Sequence, residues 1–114
     1  MAKKSINPIQ IARDYAQTLK KRIKVEKIIL FGSAARGQMT RDSDLDIIII
    51  SPDFEKMKYI DRLVFLSKAR GGKFTFIPMD ILGYTDEEFE RLSKESVVLD
   101  EAKREGKLVS KNFR

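Results

Sequence analysis

The sequence predicts one α/β (α+β) domain, spanning residues 1–114, in which a small mixed β-sheet is flanked by helices. Three observations support this fold class. Segments with helical spacing of apolar residues alternate with short apolar runs of strand length. One of these runs, Leu45–Ile50, is apolar on both faces, which is typical of a strand in the middle of a covered sheet. A length of 114 residues fits a single domain.

The first half of the chain predicts one helix and two strands. Asn7 followed by Pro8 is a typical helix start, and apolar residues then recur at helical spacing. Gly32 ends the first apolar run. The predicted elements are a helix over about 8–22, a strand over 25–31, one or two helical turns over 34–37, a polar loop over 38–43 and a strand over 45–50.

The second half predicts another helix, a third strand and terminal helices. Pro78 cannot donate a ladder hydrogen bond, which indicates an edge strand or a bulge. Thr85 and Glu88 form a capping-box pattern. The predicted elements are a helix over about 54–69, a strand over 74–82, a helix from 85, a helical segment over 97–106 that continues it or starts another, and a tail over 107–114 that is frayed or partner-bound.

The composition excludes several kinds of chemistry. The chain has no cysteine and no histidine, so disulfides, thiolate metal sites, histidine-ligated zinc and Ser-His-Asp catalysis are ruled out. A metal site must use oxygen ligands, which favours magnesium or manganese. No apolar run approaches the ~20 residues that span a bilayer, and the first residues lack the apolar segment of a secretory signal. We therefore expect no membrane association and a cytoplasmic location.

The positive charge is concentrated at the start of the chain. The formal net charge is +6, from 23 basic and 17 acidic residues. Residues 1–27 hold 8 basic and 2 acidic side chains, a difference of 8 − 2 = 6 that equals the whole excess. This charge can attract a nucleotide, a nucleic acid or an acidic protein partner, or it can simply belong to a solvated helix face. No aromatic residues are interleaved with the lysines, so stacking on single-stranded nucleic acid is not favoured.

Asp44 and Asp46 are the strongest candidates for metal ligands. Side chains two residues apart on a strand leave the same face, with Cβ atoms roughly 6.5–7 Å apart. The two carboxylates can therefore converge on one divalent cation, which would offset the cost of placing two anions beside an apolar strand. The alternative is a pair of solvated turn residues.

Asp80 is the best candidate for a third carboxylate. It interrupts an otherwise apolar strand, where a charge is costly unless it faces a cavity, a cation or water. The alternative is a position on the solvent face of an edge strand. Asp42 and Asp53 are weaker candidates, because loop and turn positions suit aspartate without any ligand.

Gly32 and Ser33 are candidates for phosphate binding. Glycine lets the backbone approach a ligand closely, the amides that follow can donate to phosphate oxygens, and the Ser33 hydroxyl adds a donor. Arg36, one turn later, can reach a phosphate, and Ser43 can donate to a phosphate or orient the metal loop. Arg41 is a weaker candidate. Read alone, a Gly-Ser pair after a strand is usually only a turn, and Arg36, Ser43 and Arg41 could equally have only a surface role.

Taken together, these motifs resemble a known family. Gly32-Ser33, Arg36-Gly37 and Ser43-Asp44-Leu45-Asp46 resemble the signature of the DNA polymerase β-type nucleotidyltransferase superfamily. The ending, from Asp80 through Thr85-Asp-Glu-Glu-Phe89 to Arg104-Glu-Gly106, is similar to that of the minimal nucleotidyltransferases. The resemblance covers roughly residues 9–106.

The resemblance implies a fold, a reaction and a set of site residues. The fold is a mixed sheet flanked by helices, and the reaction moves a nucleotidyl group, here AMP from ATP, to an acceptor with loss of pyrophosphate. Gly32 and Ser33 would hold the triphosphate of the nucleotide, with Arg36 and Ser43 assisting. Two Mg²⁺ ions, with Mn²⁺ as the alternative, would be held by the three catalytic carboxylates, Asp44, Asp46 and Asp80.

The resemblance also implies a protein partner. Minimal nucleotidyltransferases often occur with a HEPN-domain ribonuclease as a toxin–antitoxin pair, in which the nucleotidyltransferase is the antitoxin and modifies its partner with AMP. The alternative is a catalytically silent antitoxin that neutralises a HEPN ribonuclease by covering it. A nucleic-acid-binding domain driven by the net charge is the third hypothesis, and it leaves the acidic cluster unexplained.

Overall fold

The computed structural model describes residues 7–37 and 43–110, apart from the side chains of Lys73 and Ser110. Short 3-10 turns occupy Gly32–Ala34, Pro52–Lys56 and Gly72–Phe74. The helices and strands are α1 (Pro8–Leu19), β1 (Lys27–Phe31), β2 (Leu45–Ile50), α2 (Tyr59–Lys68), β3 (Met79–Tyr84), α3 (Asp86–Leu92), α4 (Val97–Glu105) and β4 (Lys107–Ser110). This architecture confirms the predicted α/β fold class.

The strands form one mixed sheet in the order β3-β2-β1-β4. β1 is antiparallel to both β2 and β4, whereas β2 and β3 are parallel and are joined by α2. β2 is an inner strand, as its isoleucines predicted. Ile47 and Ile49 are buried with residues of α1 and α2 in one core, and Ile48 and Ile50 are buried with residues of α3 and α4 in the other.

The first helix begins where the sequence predicted. The Asn7 side chain accepts a hydrogen bond from the Gln10 amide at 3.2 Å, and Pro8 occupies the first turn. The Tyr15 hydroxyl donates to the Leu66 carbonyl at 2.6 Å, which fixes α1 against α2. The helix ends at Leu19 rather than at about 22.

Two predicted boundaries in the middle of the chain are wrong. The helix predicted over about 54–69 begins only at Tyr59, because Met57 and Lys58 have extended backbone after the 3-10 turn. The strand predicted over 74–82 begins at Met79, because Pro78 has no N–H for the ladder. The Pro78 carbonyl instead accepts a hydrogen bond from the Leu45 amide at 2.8 Å. β3 is an edge strand, as Pro78 indicated.

The end of the described chain differs most from expectation. Residues 107–110, predicted to be frayed or partner-bound, form β4 and pair with β1. Gly106 permits the turn into β4, because a Cβ at this position would overlap the Ala102 carbonyl and the Ile29 side chain. Residues 111–114 lie outside the described range.

The helices before this turn follow their capping residues. The Thr85 hydroxyl accepts from the Glu88 amide at 3.1 Å, and Glu88 Oε1 accepts from the Thr85 amide at 2.8 Å, which confirms the capping box. Ser96 caps α4 separately from α3 by accepting from the Leu99 amide at 3.2 Å. The segment over 97–106 therefore contains a new helix. In the two described ranges, every helix is too short or too polar to cross a bilayer.

Candidate active site

The predicted site residues lie at one end of the sheet, where β1 ends and β2 and β3 begin. Phe31 pairs with Asp46 across the antiparallel β1–β2 pair, and Asp46 is the register partner of Asp80 in the parallel β2–β3 pair. Register partners on neighbouring strands project to the same face, with backbones about 4.8 Å apart. Asp46 and Asp80 therefore lie side by side, and β3 keeps a one-to-one register with β2 despite Pro78.

Two features favour glycine at residue 32: the left-handed conformation of its backbone and the nearby carboxylate of Asp46. Its φ is +66°, in the left-handed region that favours glycine. A Cβ at this position would also overlap Oδ2 of Asp46. The turn Gly32–Ala34 therefore lies directly against the Asp46 carboxylate, and a side chain at residue 32 would push that carboxylate aside.

We expect Gly32→Ala to destabilise the protein by about 1–2 kcal/mol through left-handed backbone strain, with a smaller further loss because the Asp46 carboxylate must move aside. Gly37→Ala is the matched control, since Gly37 has a φ of +69° and open space where a Cβ would lie. Urea denaturation gives the free energy of unfolding of each variant, and the difference between the two losses measures the cost of the contact with Asp46. Equal losses would show that the close approach to Asp46 carries no cost.

The carboxylates affect one another electrostatically. Asp46 is half-buried, whereas Asp44 and Asp80 are exposed. Burial raises the pKa of the Asp46 carboxyl above its ordinary value, the charges of Asp80 and then Asp44 raise it further, and Arg36 lowers it. All three aspartates therefore contribute to one local field of negative charge, which favours cation binding.

This raised pKa predicts that Asp46→Asn stabilises the protein at neutral pH. A folded-state pKa above the unfolded value gives stability that is present below about pH 3.9 and is lost as the pH rises through the folded pKa. The variant should therefore be more stable than the wild type at pH 7 and about equally stable near pH 3. Thermal unfolding at both pH values tests this. A neutral or destabilising effect at pH 7 would contradict the electrostatic assignment.

Arg36 links the turn to α4. Its amide donates to the Gly32 carbonyl at 3.3 Å, so it follows the turn directly. Its guanidinium Nη1 lies 3.3 Å from Oε1 of Glu101 on α4, and its charge also acts on Asp46. The Arg36 side chain therefore lies where it could exchange a carboxylate for a phosphate. Glu101 could not be predicted as a neighbour of Arg36, because 65 residues separate the two and no local motif marks it.

The remaining predicted residues differ in how they relate to the candidate site. Ser33 is half-buried inside the 3-10 turn, and Ser43 is half-buried just before Asp44 and the start of β2. Asp53 has a structural role, because its Oδ2 accepts a hydrogen bond from the Lys24 amide at 2.8 Å. Asp42 and Arg41 lie outside the described residues.

The donor set suits a hard divalent cation, since it consists of carboxylate oxygens next to a turn whose amides can bind phosphate. Asp46 and Asp80 are brought together by strand register, and Asp44 is near enough to raise the pKa of Asp46. Within residues 7–37 and 43–110, however, no three acidic side chains are arranged so that they could hold a metal ion as they stand. Mutual repulsion of three carboxylates opposes such convergence.

At one end of the mixed sheet, the glycine turn and the in-register aspartates therefore form a candidate site for a cation and a phosphate. Residues 12–108 match the sequence model of the nucleotidyltransferase domain family. The chain belongs to this family and is a nucleotidyltransferase, which confirms the predicted resemblance and enzyme class.

Two relatives come from the archaeon Methanocaldococcus jannaschii, and both are named as protein adenylyltransferases. One is 37% identical over 73 residues, which cover 60% of this chain and 71% of the relative. The other is 35% identical over 78 residues, which cover 65% of this chain and 78% of the relative. The sequence similarity thus extends over most of each relative.

Two solved structures share the fold. A nucleotidyltransferase from Sulfolobus solfataricus superimposes with a TM-score of 0.58 at 20% identity, covering 95% of this chain and 90% of the other. A toxin–antitoxin structure with AMP-PNP superimposes with a TM-score of 0.61 at 21% identity, covering 94% of this chain and 75% of the other. Identities this low establish a common fold only.

Proposed function

We propose that this protein transfers AMP from ATP to a hydroxyl group of a protein partner and acts as the antitoxin of a toxin–antitoxin pair, with a HEPN-domain ribonuclease as the partner. The observation that carries the proposal is the in-register pair Asp46 and Asp80 beside the Gly32 turn. The relatives named as protein adenylyltransferases support AMP transfer to protein, and the toxin–antitoxin neighbour with AMP-PNP supports the partnership.

The turn after β1 would bind the triphosphate of the nucleotide. Amides of Ser33 and its neighbours at the start of the 3-10 turn would donate to phosphate oxygens, and the Ser33 hydroxyl would add a donor. Arg36 would leave Glu101 for a phosphate oxygen. Ser43, just before Asp44, would donate to the nucleotide from the opposite side.

Asp44, Asp46 and Asp80 would hold two Mg²⁺ ions, or Mn²⁺ in their place. Bound divalent cations stabilise the charge that develops on the α-phosphate and on the leaving pyrophosphate. Asp46 is central in this arrangement, because it contacts the Gly32 turn on one side and neighbours Asp80 on the other.

The proposed reaction is an in-line substitution at the α-phosphorus of ATP. The acceptor hydroxyl oxygen forms a bond to the α-phosphorus, while the bond from this phosphorus to the oxygen bridging to the β-phosphate breaks. Pyrophosphate leaves with that oxygen. Asp80 takes the proton of the acceptor hydroxyl, since its carboxylate is exposed at the edge strand where an acceptor can approach.

One observation favours a second candidate function. In the part of the chain that the structure describes, no three acidic side chains form a ready-made metal site. A catalytically silent antitoxin, which neutralises the ribonuclease by covering it, needs no such site.

ATP labelled at the α-phosphate distinguishes these functions. The full chain is incubated with the labelled ATP, Mg²⁺ and a HEPN protein encoded beside its gene, and the proteins are then separated. We expect label in the HEPN protein, dependent on a divalent cation and absent with EDTA. Tight complex formation without label would overturn the enzymatic proposal and support the silent antitoxin.

A further inference from the structure

We infer that a groove between α1 and α2 binds an acidic peptide segment of the protein partner, one that also carries apolar side chains. We call this surface the basic groove. This inference rests on the proposed function only in taking the partner to be a protein. The groove is lined by Thr18, Leu19, Arg22, Phe65, Lys68, Ala69 and Gly71.

The basic groove has a defined shape and an apolar floor. Its volume is about 410 Å³, and Leu19, Phe65 and Ala69 form the apolar part of its lining, which we call the floor. The two helices that form it are fixed to each other by the buried hydrogen bond from the Tyr15 hydroxyl to the Leu66 carbonyl at 2.6 Å. The groove therefore exists before a ligand arrives, which lowers the entropic cost of binding.

The rim of the groove is cationic. Arg22 and Lys68 are both exposed, and none of the described residues that line the groove is acidic. Neither side chain forms a salt bridge with another described residue. Lys68 lies in the last turn of α2, where it also complements the helix dipole. The dipole does not account for Arg22, which lies beyond the end of α1, or for the apolar residues that line the same groove.

This combination favours a peptide over other ligands. Glutamate or aspartate side chains would pair with the rim, and leucine-sized side chains would bury the floor. Phe65 is the aromatic residue of the lining and is half-buried, so the lining offers no exposed ring on which a nucleobase could stack. The groove shares no residue with the Gly32 turn or the aspartates, so it can hold a partner while the active site acts.

Fluorescence anisotropy with a labelled peptide of alternating glutamate and leucine tests the inference on the full chain, without ATP or a divalent cation. We expect the double variant Arg22→Glu/Lys68→Glu to weaken peptide binding at least about tenfold. The matched control is Arg91→Glu/Lys94→Glu, which reverses two exposed charges at the end of α3, on the opposite face of the sheet, and should bind as the wild type does. A peptide with serine in place of leucine should also bind more weakly.

Three outcomes would overturn the inference: equal weakening by the control, tighter binding of an oligouridylate of the same charge, or competition of the peptide with self-association of the chain. Circular dichroism verifies that the exposed charge reversals leave the fold intact. Peptide binding in a chain that transfers no AMP would remove the enzymatic proposal and keep the groove. Transfer to the partner with an unchanged KM for the partner in Arg22→Glu/Lys68→Glu would remove the groove alone.

Discussion

Asp46→Asn is expected to reduce AMP transfer at least about 1,000-fold, because it removes a negatively charged oxygen from the centre of the proposed cation site. Asp46 lies against the Gly32 turn and beside Asp80, so its carboxylate would contact both the phosphate and the acceptor side of the reaction. Asp80→Asn should reduce transfer by a similar factor, because it removes both a ligand and the proton acceptor. The measurement is kcat at saturating ATP, Mg²⁺ and partner protein.

Stability measurements show whether a loss of activity in these variants comes from unfolding. Asp46→Asn is expected to be more stable than the wild type at pH 7, so lost activity in this variant would not reflect lost fold. Asp61→Asn, at an exposed position in the first turn of α2, serves as the matched control and should retain full activity. If Asp46→Asn kept more than about a tenth of the wild-type kcat, Asp46 would have no role as a cation ligand.

Glu88→Ala is expected to destabilise the fold by about 3–5 kcal/mol, because it leaves the buried Arg62 guanidinium without its counter-ion. Arg62 Nη1 and Nη2 donate to the two Glu88 oxygens at 2.7 and 2.9 Å, and the Arg62 side chain is only 6% exposed. The guanidinium also donates to the Gly83 carbonyl at 3.2 Å. Such a loss is a large part of the roughly 5–15 kcal/mol that stabilises a domain, and urea denaturation measures it directly.

The same pair predicts a sensitivity to acid. The hydrogen bonds from Arg62 hold the pKa of Glu88 below its ordinary value. The stability from this shift is present above about pH 4.3 and is lost as the pH falls through the lowered folded pKa. Asp100→Ala is the control, because its pairing with Arg104 is exposed and should cost at most about 0.5 kcal/mol. A loss below about 1 kcal/mol for Glu88→Ala would contradict the assigned role of the pair.

Features of the fold that depend on neighbouring residues, such as helix starts and the inner strand, could be predicted from the sequence. Four consecutive isoleucines indicated an inner strand, and the Asn7 and Thr85 caps placed two helix starts correctly. Aspartates spaced by two residues marked the beginning of β2 as the candidate site. The parts set by distant contacts could not be predicted. The salt bridge from Arg36 to Glu101 depends on the packing of α4, and residues 107–110 become a strand only because β1 offers a free edge.

The position of β4 has a consequence for how the protein is made. β1 lies between β2 and β4, so its second hydrogen-bonding edge stays unpaired until residues 107–110 have left the ribosome. Contacts between such distant segments carry a large loop-closure cost and form late. Because Phe31, the last residue of β1, leads directly into the Gly32 turn, the strand that carries this turn is paired along both edges only after β4 has docked. The candidate site beside this turn would therefore gain its full structural support in a late step of folding, after β4 has emerged.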